Sequence, residues 1–494
     1  MRKVITKERV VKSDILQLEP IPVWKYFYEL NQIPRCSGNE EAAGQYVISV
    51  AEQFNLKWKK DHVGNILVSK PASKGMENRP AAVIQGHLDM VCEMNKGTVH
   101  DFSKDPIKMM VKDGWVTADG TTLGSDNGIA VAMGLAIMTD NSLVHPALEF
   151  LFTVDEETGL TGATDLKNDF LEGRILLNID SEEEGALYIG CAGGLNTLLE
   201  KKIEWTHRHD DHKTFVLKIG GLRGGHSGLN IHEGYGNAIK LLSRVLYGLK
   251  YKFHYHLAGI EGGSKHNAIP REAEAIIDVP GDKIDVLKKV VADYNKIFME
   301  ELRFVDSGVN VSIEAHAVPE KVFSTDFCNQ LIGVMYAMPH GVIAMSHAIP
   351  GLVETSTNMA IIETKNDIVH MLTSQRSSVA SSVRDIADKI KALGELAGFD
   401  IEQTGGYPAW EPNPDSGLLM VCKDIYKNKY GDEPRVKAIH AGLECGIIGE
   451  KFAGMDMISF GPDIEGAHSP DERIRIESVG HVWQYLLEIL RELK

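Results

Sequence analysis

Short, unbroken apolar runs separated by Gly- and Asp-rich turns set the texture of the chain from about residue 63. Residues 81–84 (AAVI), 148–154 (LEFLFTV) and 174–179 (RILLNI) are each continuous rather than alternating. Such runs predict strands covered on both faces. Between the first two, residues 127–138 carry the helical period, with Asp126 positioned as an N-cap. Upstream, residues 20–56 read as two helices around the loop IPRCSGNEE. The second of them, 41–54, begins behind the start signal Ser37-Gly38-Asn39. Strands alternating with helices predict an α/β layer built on a largely parallel sheet.

From about residue 194 to 407 the pattern changes. Strand-like 214–219 precedes a Gly-rich turn and a helix over 235–249; 273–279 precedes a helix over 282–301 and a strand over 309–314. Residues 359–363 and 370–374 then lead into a helix over 378–396. These repeated strand–helix–strand units predict a separate α+β domain. Near Trp410 the chain turns Pro-rich (YPAWEPNPDSG) and the earlier alternation resumes, closing with a strand over 455–460 and a helix over 478–493. The organisation expected is one discontinuous α/β domain, 1–193 and 408–494, interrupted by an inserted α+β domain, 194–407.

Composition narrows the partners. The 494 residues are 43% hydrophobic and 24% charged, ordinary values for a globular chain. Lys plus Arg number 52 against 69 Asp plus Glu, a net charge of −17 that repels phosphate backbones and anionic lipid. Neither nucleic acid nor a membrane is therefore expected as a partner. The six cysteines, Cys36, Cys92, Cys191, Cys328, Cys422 and Cys445, form no C-x-x-C pair, and such scatter predicts reduced thiols in a reducing compartment. MRKVITKERVVKSDIL has no apolar core of a secretory signal. The longest strongly apolar run, 129–138, is about half the length that crosses a bilayer. A cytoplasmic location is expected.

Candidate chemistry gathers at strand ends. AAVIQG runs into His87-Leu88-Asp89; TTLGSDNG places Asp126 at a strand-to-helix turn; LEFLFTV runs into Asp155-Glu156-Glu157. RILLNI ends at Asp180, and the loop GPDIEGAHSPDE after the last strand carries His468. In an open parallel sheet the carboxyl ends of the strands form the ligand-binding edge. Two histidines with several carboxylates suit zinc or a similar divalent ion, and the same donors accept cobalt and manganese. The count fits two ions sharing a bridging carboxylate, a pair that holds a hydroxide and polarises an amide carbonyl. Asp89, two residues from His87, shares its strand face and is placed to accept the second ring N–H. Of the adjacent Glu156 and Glu157, one can ligate while the other stays free as a general base. Taken singly each feature reads as a polar strand end, a solvated turn or a helix cap; the set points to metal chemistry. His207, His209 and His212 (THRHDDHK) read as a solvated linker between domains, and His226 in LRGGHSGLN as a polar tip where backbone can approach a ligand.

The order GHLDM, GSDNG, DEETG, NIDSEE, GAHSPDE resembles the co-catalytic zinc peptidases of the aminoacylase and carboxypeptidase G2 type, and within them the aminoacyl-histidine dipeptidases. The likeness extends to IPRCSGNE, LRGGHSG, HNAIP and HAGLECG. It implies a zinc-exopeptidase-like catalytic domain interrupted by a lid and dimerisation domain, two divalent ions per subunit, zinc foremost, and a homodimer. Carried over by position, Asp126 would bridge the ions, His87 and Asp180 would complete one, and Glu157 with His468 the other. Asp89 would orient His87, and Glu156 would move the proton from the attacking water to the leaving amine. In the inserted domain His226 would stabilise the oxyanion, in the partner subunit's site, with Asn267, Arg376 and Gly442 holding the substrate termini. The resemblance implies hydrolysis of Xaa-His and other dipeptides, β-alanyl-histidine among them. The competing readings are an N-acyl amino acid deacylase or aminotripeptidase of the same superfamily, and a non-catalytic binding protein on the same fold.

Overall fold

A computed structural model describes residues 12–493. The N-terminal stretch on which the absence of a leader was read lies largely outside the described residues. The chain divides into two compact units. One runs up to Gly190 and includes Pro412–Ala438 and the residues from Leu443 onward; the other comprises Cys191–Glu411 and Ile439–Gly442. The short return of Ile439–Gly442 to the second unit was not expected from sequence. It is held there because the Ala192 amide donates to the carbonyls of Ile439 (3.0 Å) and Ala441 (3.1 Å).

The first unit is built on an eight-stranded sheet ordered Lys57–Lys60, Ile66–Lys70, Leu148–Thr153, Ala82–His87, Ile175–Asn178, Asp456–Ser459, Ala186–Cys191, Arg435–Ile439. The four middle strands, Leu148–Thr153 to Asp456–Ser459, run parallel, and the Ile66–Lys70 and Ala186–Cys191 strands flank them antiparallel. Ala82–His87 and Leu148–Thr153 are buried at every position, which is why they read as unbroken apolar runs. Helix Ser125–Thr139 is as apolar all round as a fully buried helix must be, with 13 of its 15 residues buried. A second, four-stranded sheet joins Met109–Lys112 and Trp115–Ala118 to Ile464–Glu465 and Arg473–Arg475. It anchors both ends of the loop that contains His468.

The second unit is a nine-stranded antiparallel sheet in which His212–Gly220, Ala273–Pro280 and His256–Gly262 are neighbours, and Val353–Lys365, Ile368–Ser377 and Gly193–Lys202 continue the order. Its core joins the sheet to helices Ala238–Lys250, Ile284–Glu301, Thr325–Ala337 and Ala380–Leu396.

Two sequence expectations are corrected here. Cys36 and Cys92 form a disulfide across 56 residues, with Cα atoms 5.7 Å apart, while Cys191, Cys328, Cys422 and Cys445 are buried thiols. The pairing follows from a parallel bridge between Cys36 and Met90 that sets the two segments side by side, a proximity no local spacing announces. The histidines of THRHDDHK are not in a linker. Trp205–His207 pairs with Lys321–Phe323, and His212 is the buried first residue of a central strand of the second unit.

Candidate active site

The four parallel strands deliver their chemistry to one rim, as their shared direction requires. Ala82–His87 ends on His87, 1% exposed. Beyond it the Leu88 amide donates to the Thr153 carbonyl (2.8 Å), which sets Asp89 just past the strand. Leu148–Thr153 leads through Asp155, held at φ +53° by hydrogen bonds from Thr158 and Thr161 to its carboxylate, into the short helix Glu156–Gly159. Ile175–Asn178 leads to Asp180, and Asp456–Ser459 to the loop bearing His468. Asp126 does not cap its helix. The N-cap position is Gly124, at φ +71°, where a Cβ would collide with Arg35 and Met90. Asp126 has non-helical dihedrals, and its carboxylate turns toward two imidazoles instead.

Its two oxygens are divided between them: Oδ1 lies 3.2 Å from His87 Nε2 and Oδ2 3.1 Å from His468 Nε2. His87 Nε2 is also 3.3 Å from Asp180 Oδ1, and His468 Nε2 is 3.0 Å from Glu157 Oε2. His87, Asp126 and Asp180 converge as one donor group, and Asp126, Glu157 and His468 as another. Glu156 joins His87 and Glu157 in a third. On the far side of the His87 ring, Nδ1 is 3.3 Å from the Asp89 carboxylate and 3.2 Å from the Asp89 carbonyl. Both are acceptors, so Nδ1 carries the proton and Nε2 presents its lone pair in the neutral ring.

Burial and crowding set the charges. Burial opposes ionisation of Asp126, yet hydrogen bonds with His468 and His87 hold its carboxyl well below the usual range. Asp89 is likewise resisted by burial but brought to about 2 by His87, the Glu156 amide and the Ser37 hydroxyl. Burial raises Asp180 to about 6 against the pull of His87, and raises Glu156 well above the carboxylate range. His468 is lifted to about 11 by its bonds with Asp126 and Glu157. Burial works against charge on His87, but Asp180 and the hydrogen bonds to Asp126, Asp180 and Asp89 carry it well above its ordinary value.

This donor set fits divalent cations. Four buried or half-buried carboxylates face two imidazoles, and one oxygen, Glu157 Oε1, is buried with no partner. A carboxylate excess of that kind is balanced by a cation. Without a cation, both rings hold extra protons that a metal must displace. Loading the metal-free protein at pH 7 should therefore release protons, and apparent affinity should rise with pH. The sign is that of groups whose folded pKa lies above the free value: the extra protons are held from below about 6.5 up to the folded value. Calorimetry in buffers of different ionisation enthalpy reads the release directly; heats independent of buffer would contradict it.

Residues that sequence reasoning missed hold this rim in place. Glu472, 2% exposed, receives hydrogen bonds from the amides of Leu123 (2.7 Å), Gly124 (3.0 Å), Ser125 (2.7 Å) and Asp126 (3.3 Å), and from the Ser125 hydroxyl (2.5 Å). Arg35, 1% exposed, donates to the carbonyls of Leu88, Asp89 and Gly124. Ser37 donates to Asp89 (2.8 Å), and Glu444 accepts from Gln85 (2.6 Å) and Thr153 (2.7 Å) beneath the site. The sequence signal was slight: Glu472 is one more acid in SPDE, and Arg35 one more cation before a turn. Glu472→Ala should lower unfolding free energy by about 3 kcal/mol or more, because buried amides lose a charged acceptor. Denaturant titration measures it, and a loss under about 1 kcal/mol would show that the loop holds itself.

The remaining candidates lie together in the second unit. His226 Nδ1 accepts from the amides of Gly228 (3.2 Å) and Leu229 (3.0 Å), so its neutral ring carries the proton on Nε2. Burial, with Arg376 and His266 nearby, lowers it to about 4. Arg376 donates to the Tyr407 hydroxyl (2.8 Å), and Gly442 lies where a Cβ would press on the Tyr407 ring. The Asn267 carbonyl accepts from the Ser227 amide (2.8 Å). His440, not singled out from sequence, is lowered to about 3 by burial and by Arg376 and His226, and pairs with Ser356 Oγ at 2.7 Å.

Residues 83–492 match the peptidase family M20/M25/M40, and the chain belongs to it. It is a peptidase by family. It is 41% identical over 481 residues to the cytosol non-specific dipeptidase of Escherichia coli (strain K12), covering 97% of this chain and 99% of that one. Its structure is similar to aminoacylhistidine dipeptidase from Vibrio alginolyticus, with a TM-score of 0.90, 40% identity, and 98% and 99% of the two chains covered. Aminopeptidase PepT from Bacillus cereus shares the fold at a TM-score of 0.60 and 16% identity, covering 96% of this chain and 99% of that one.

Proposed function

We propose that the protein is a cytoplasmic dipeptidase dependent on two divalent cations, hydrolysing Xaa-His and other dipeptides, β-alanyl-histidine among them. The observation that carries this reading is the division of the Asp126 carboxylate between His87 and His468, with Glu156 at the same rim. His87 and Asp180 would complete one ion, Glu157 and His468 the other, with Asp126 shared; zinc, cobalt and manganese all suit these donors. Bound there, the cations would polarise the scissile carbonyl and acidify a water.

Glu156 would take a proton from the attacking water and return it to the leaving amine. Burial raises the Glu156 carboxyl above the usual carboxylate range, toward that of a group that takes and returns protons. Asp89 fixes the His87 ring so that Nε2 faces the rim. His226, neutral and with its proton on Nε2, is the oxyanion donor, supplied to the site of a second copy in a homodimer formed through the second unit. Arg376, Asn267 and Gly442 hold the substrate termini, Arg376 pairing with the free carboxylate. The near full-length likeness to two dipeptidases supports the substrate class over a deacylase or aminotripeptidase.

A panel of dipeptides, tripeptides and N-acetyl amino acids, run with chelator and with metal restored, tests the proposal. Dipeptides including Xaa-His should be cleaved, chelator should stop the reaction, and added zinc, cobalt or manganese should restart it. Faster turnover of tripeptides or N-acetyl amino acids, or indifference to chelator, would overturn it.

A further inference from the structure

A single loop of the first unit holds three of the segments that carry the rim. Arg35 donates to the carbonyls of Leu88 (3.1 Å) and Asp89 (3.0 Å) beyond the His87 strand, and to the Gly124 carbonyl ahead of Asp126. Ser37 donates to Asp89 Oδ2 (2.8 Å). Glu40, 8% exposed, accepts from the amides of Gly38 (2.8 Å) and Asp155 (3.1 Å), the residue before Glu156. Residues 35–40 therefore touch the supports of His87, Asp126 and Glu156 at once.

That loop has little regular structure of its own. Between helices Ile21–Leu30 and Glu41–Gln53 the backbone makes turns and one isolated bridge, Cys36 to Met90, beside which the Met90 amide donates to the Arg35 carbonyl (3.1 Å). The covalent tie is Cys36–Cys92, which spans 56 residues and joins the loop to the segment just past Asp89. A cross-link of that span removes much of the entropy that an untied loop would regain. Both cysteines are half-buried rather than enclosed, and a disulfide with solvent access is the kind that thiolates exchange. The other four cysteines are buried, and burial pushes Cys328 and Cys422 up to about 12, where little thiolate forms.

We propose that Cys36–Cys92 is a redox latch on the rim, closed by oxidation, opened by a dithiol reductant, and coupled to the retention of divalent cations. A thiolate of the dithiol attacks one sulfur and forms a mixed disulfide, which its second thiol displaces as the reductant closes to a cyclic disulfide. Two electrons and two protons pass to the protein, and Cys36 and Cys92 become thiols. Opening lets residues 35–40 sample more conformations, so Asp89, Gly124 and Asp155 lose a fixed partner. Linkage makes the coupling reciprocal: by the factor that the closed latch tightens cation binding, a bound cation disfavours reduction. The coupling rests on the metal reading proposed above, whereas the latch itself stands on the loop and its contacts.

The test compares the full-length protein before and after reduction with dithiothreitol, which is then removed under argon, and uses manganese, an ion that thiols bind poorly. Thiol titration in denaturant should count the four buried thiols before reduction and all six cysteines after it. Hydrogen exchange over residues 87–90, 124–126 and 155–157 should then run at least about tenfold faster. Manganese should bind at least about fivefold more weakly to the reduced protein. Saturating manganese should in turn raise, by the same factor, the ratio of dithiothreitol to its cyclic disulfide needed for half-reduction. Cys92→Ser should match the reduced protein without any reductant, and re-oxidation should restore wild type alone. Six thiols before reduction, or exchange in those segments unchanged by it, would overturn the latch. Wild type supplies both states, so the exchange comparison decides even where Cys92→Ser fails to fold. Faster exchange with equal manganese affinity in the two states would overturn the coupling. A protein that binds no manganese in either state would fail the metal reading, and exchange alone would then decide the latch.

Discussion

Glu156→Gln should keep its full complement of bound metal and lose at least about a thousandfold in kcat on any dipeptide the protein cleaves. The side chain keeps its shape but can no longer take a proton from water or give one to an amine. Burial raises Glu156, with His87 pulling it back and Asp180, Glu444 and Glu157 pushing it further, the kind of perturbation that marks groups used for proton transfer. The proposed metal ligands around it are untouched. Elemental analysis beside steady-state kinetics reads both halves of the prediction. A variant that retains metal and turns over within about tenfold of wild type would place the proton carrier elsewhere, and one that loses metal would make Glu156 a ligand.

Asp126→Ala should be as damaging by the opposite route. One carboxylate serves both imidazoles, at 3.2 Å and 3.1 Å, so its removal takes a donor from each half of the rim at once. Metal content should fall to at most one ion per chain, and activity by a thousandfold or more, since polarisation by bound cations supplies about several kcal/mol and each 1.36 kcal/mol is tenfold in rate. Two tightly held ions in this variant would mean that the oxygens of Asp126 face the imidazoles without bridging cations. Read together, the two substitutions separate binding from proton transfer.

Much of the rim was legible because its residues terminate elements with a strong local signature. An unbroken apolar run must end where the strand meets solvent, so His87 after AAVIQG, Glu156 and Glu157 after LEFLFTV, and Asp180 after RILLNI announce themselves. Asp126 was half legible: its place at a helix start was visible, but the same place predicts a cap. What decides against the cap is Glu472, which lies 346 residues away and gathers the amides of residues 123–126. The Cys36–Cys92 bond was misread for a similar reason, since each cysteine sits in an unremarkable loop and only the Cys36–Met90 bridge joins them. His212 of THRHDDHK looked solvated because charged neighbours surround it in sequence, whereas the buried Asp278 meets it in space.

The amino-acid sequence alone determined the alternation of strands and helices, the two-part organisation, and the order of carboxylates and imidazoles along the chain. Periodicity and strand termination act over a few residues, and a local pattern carries them. Tertiary structure alone decided which of those groups share an atom's reach. His468 and Asp126 are 342 residues apart in the chain and 3.1 Å apart in the fold, and only the parallel packing of four strands, with Arg35 and Glu472 pinning the loops between them, closes that distance.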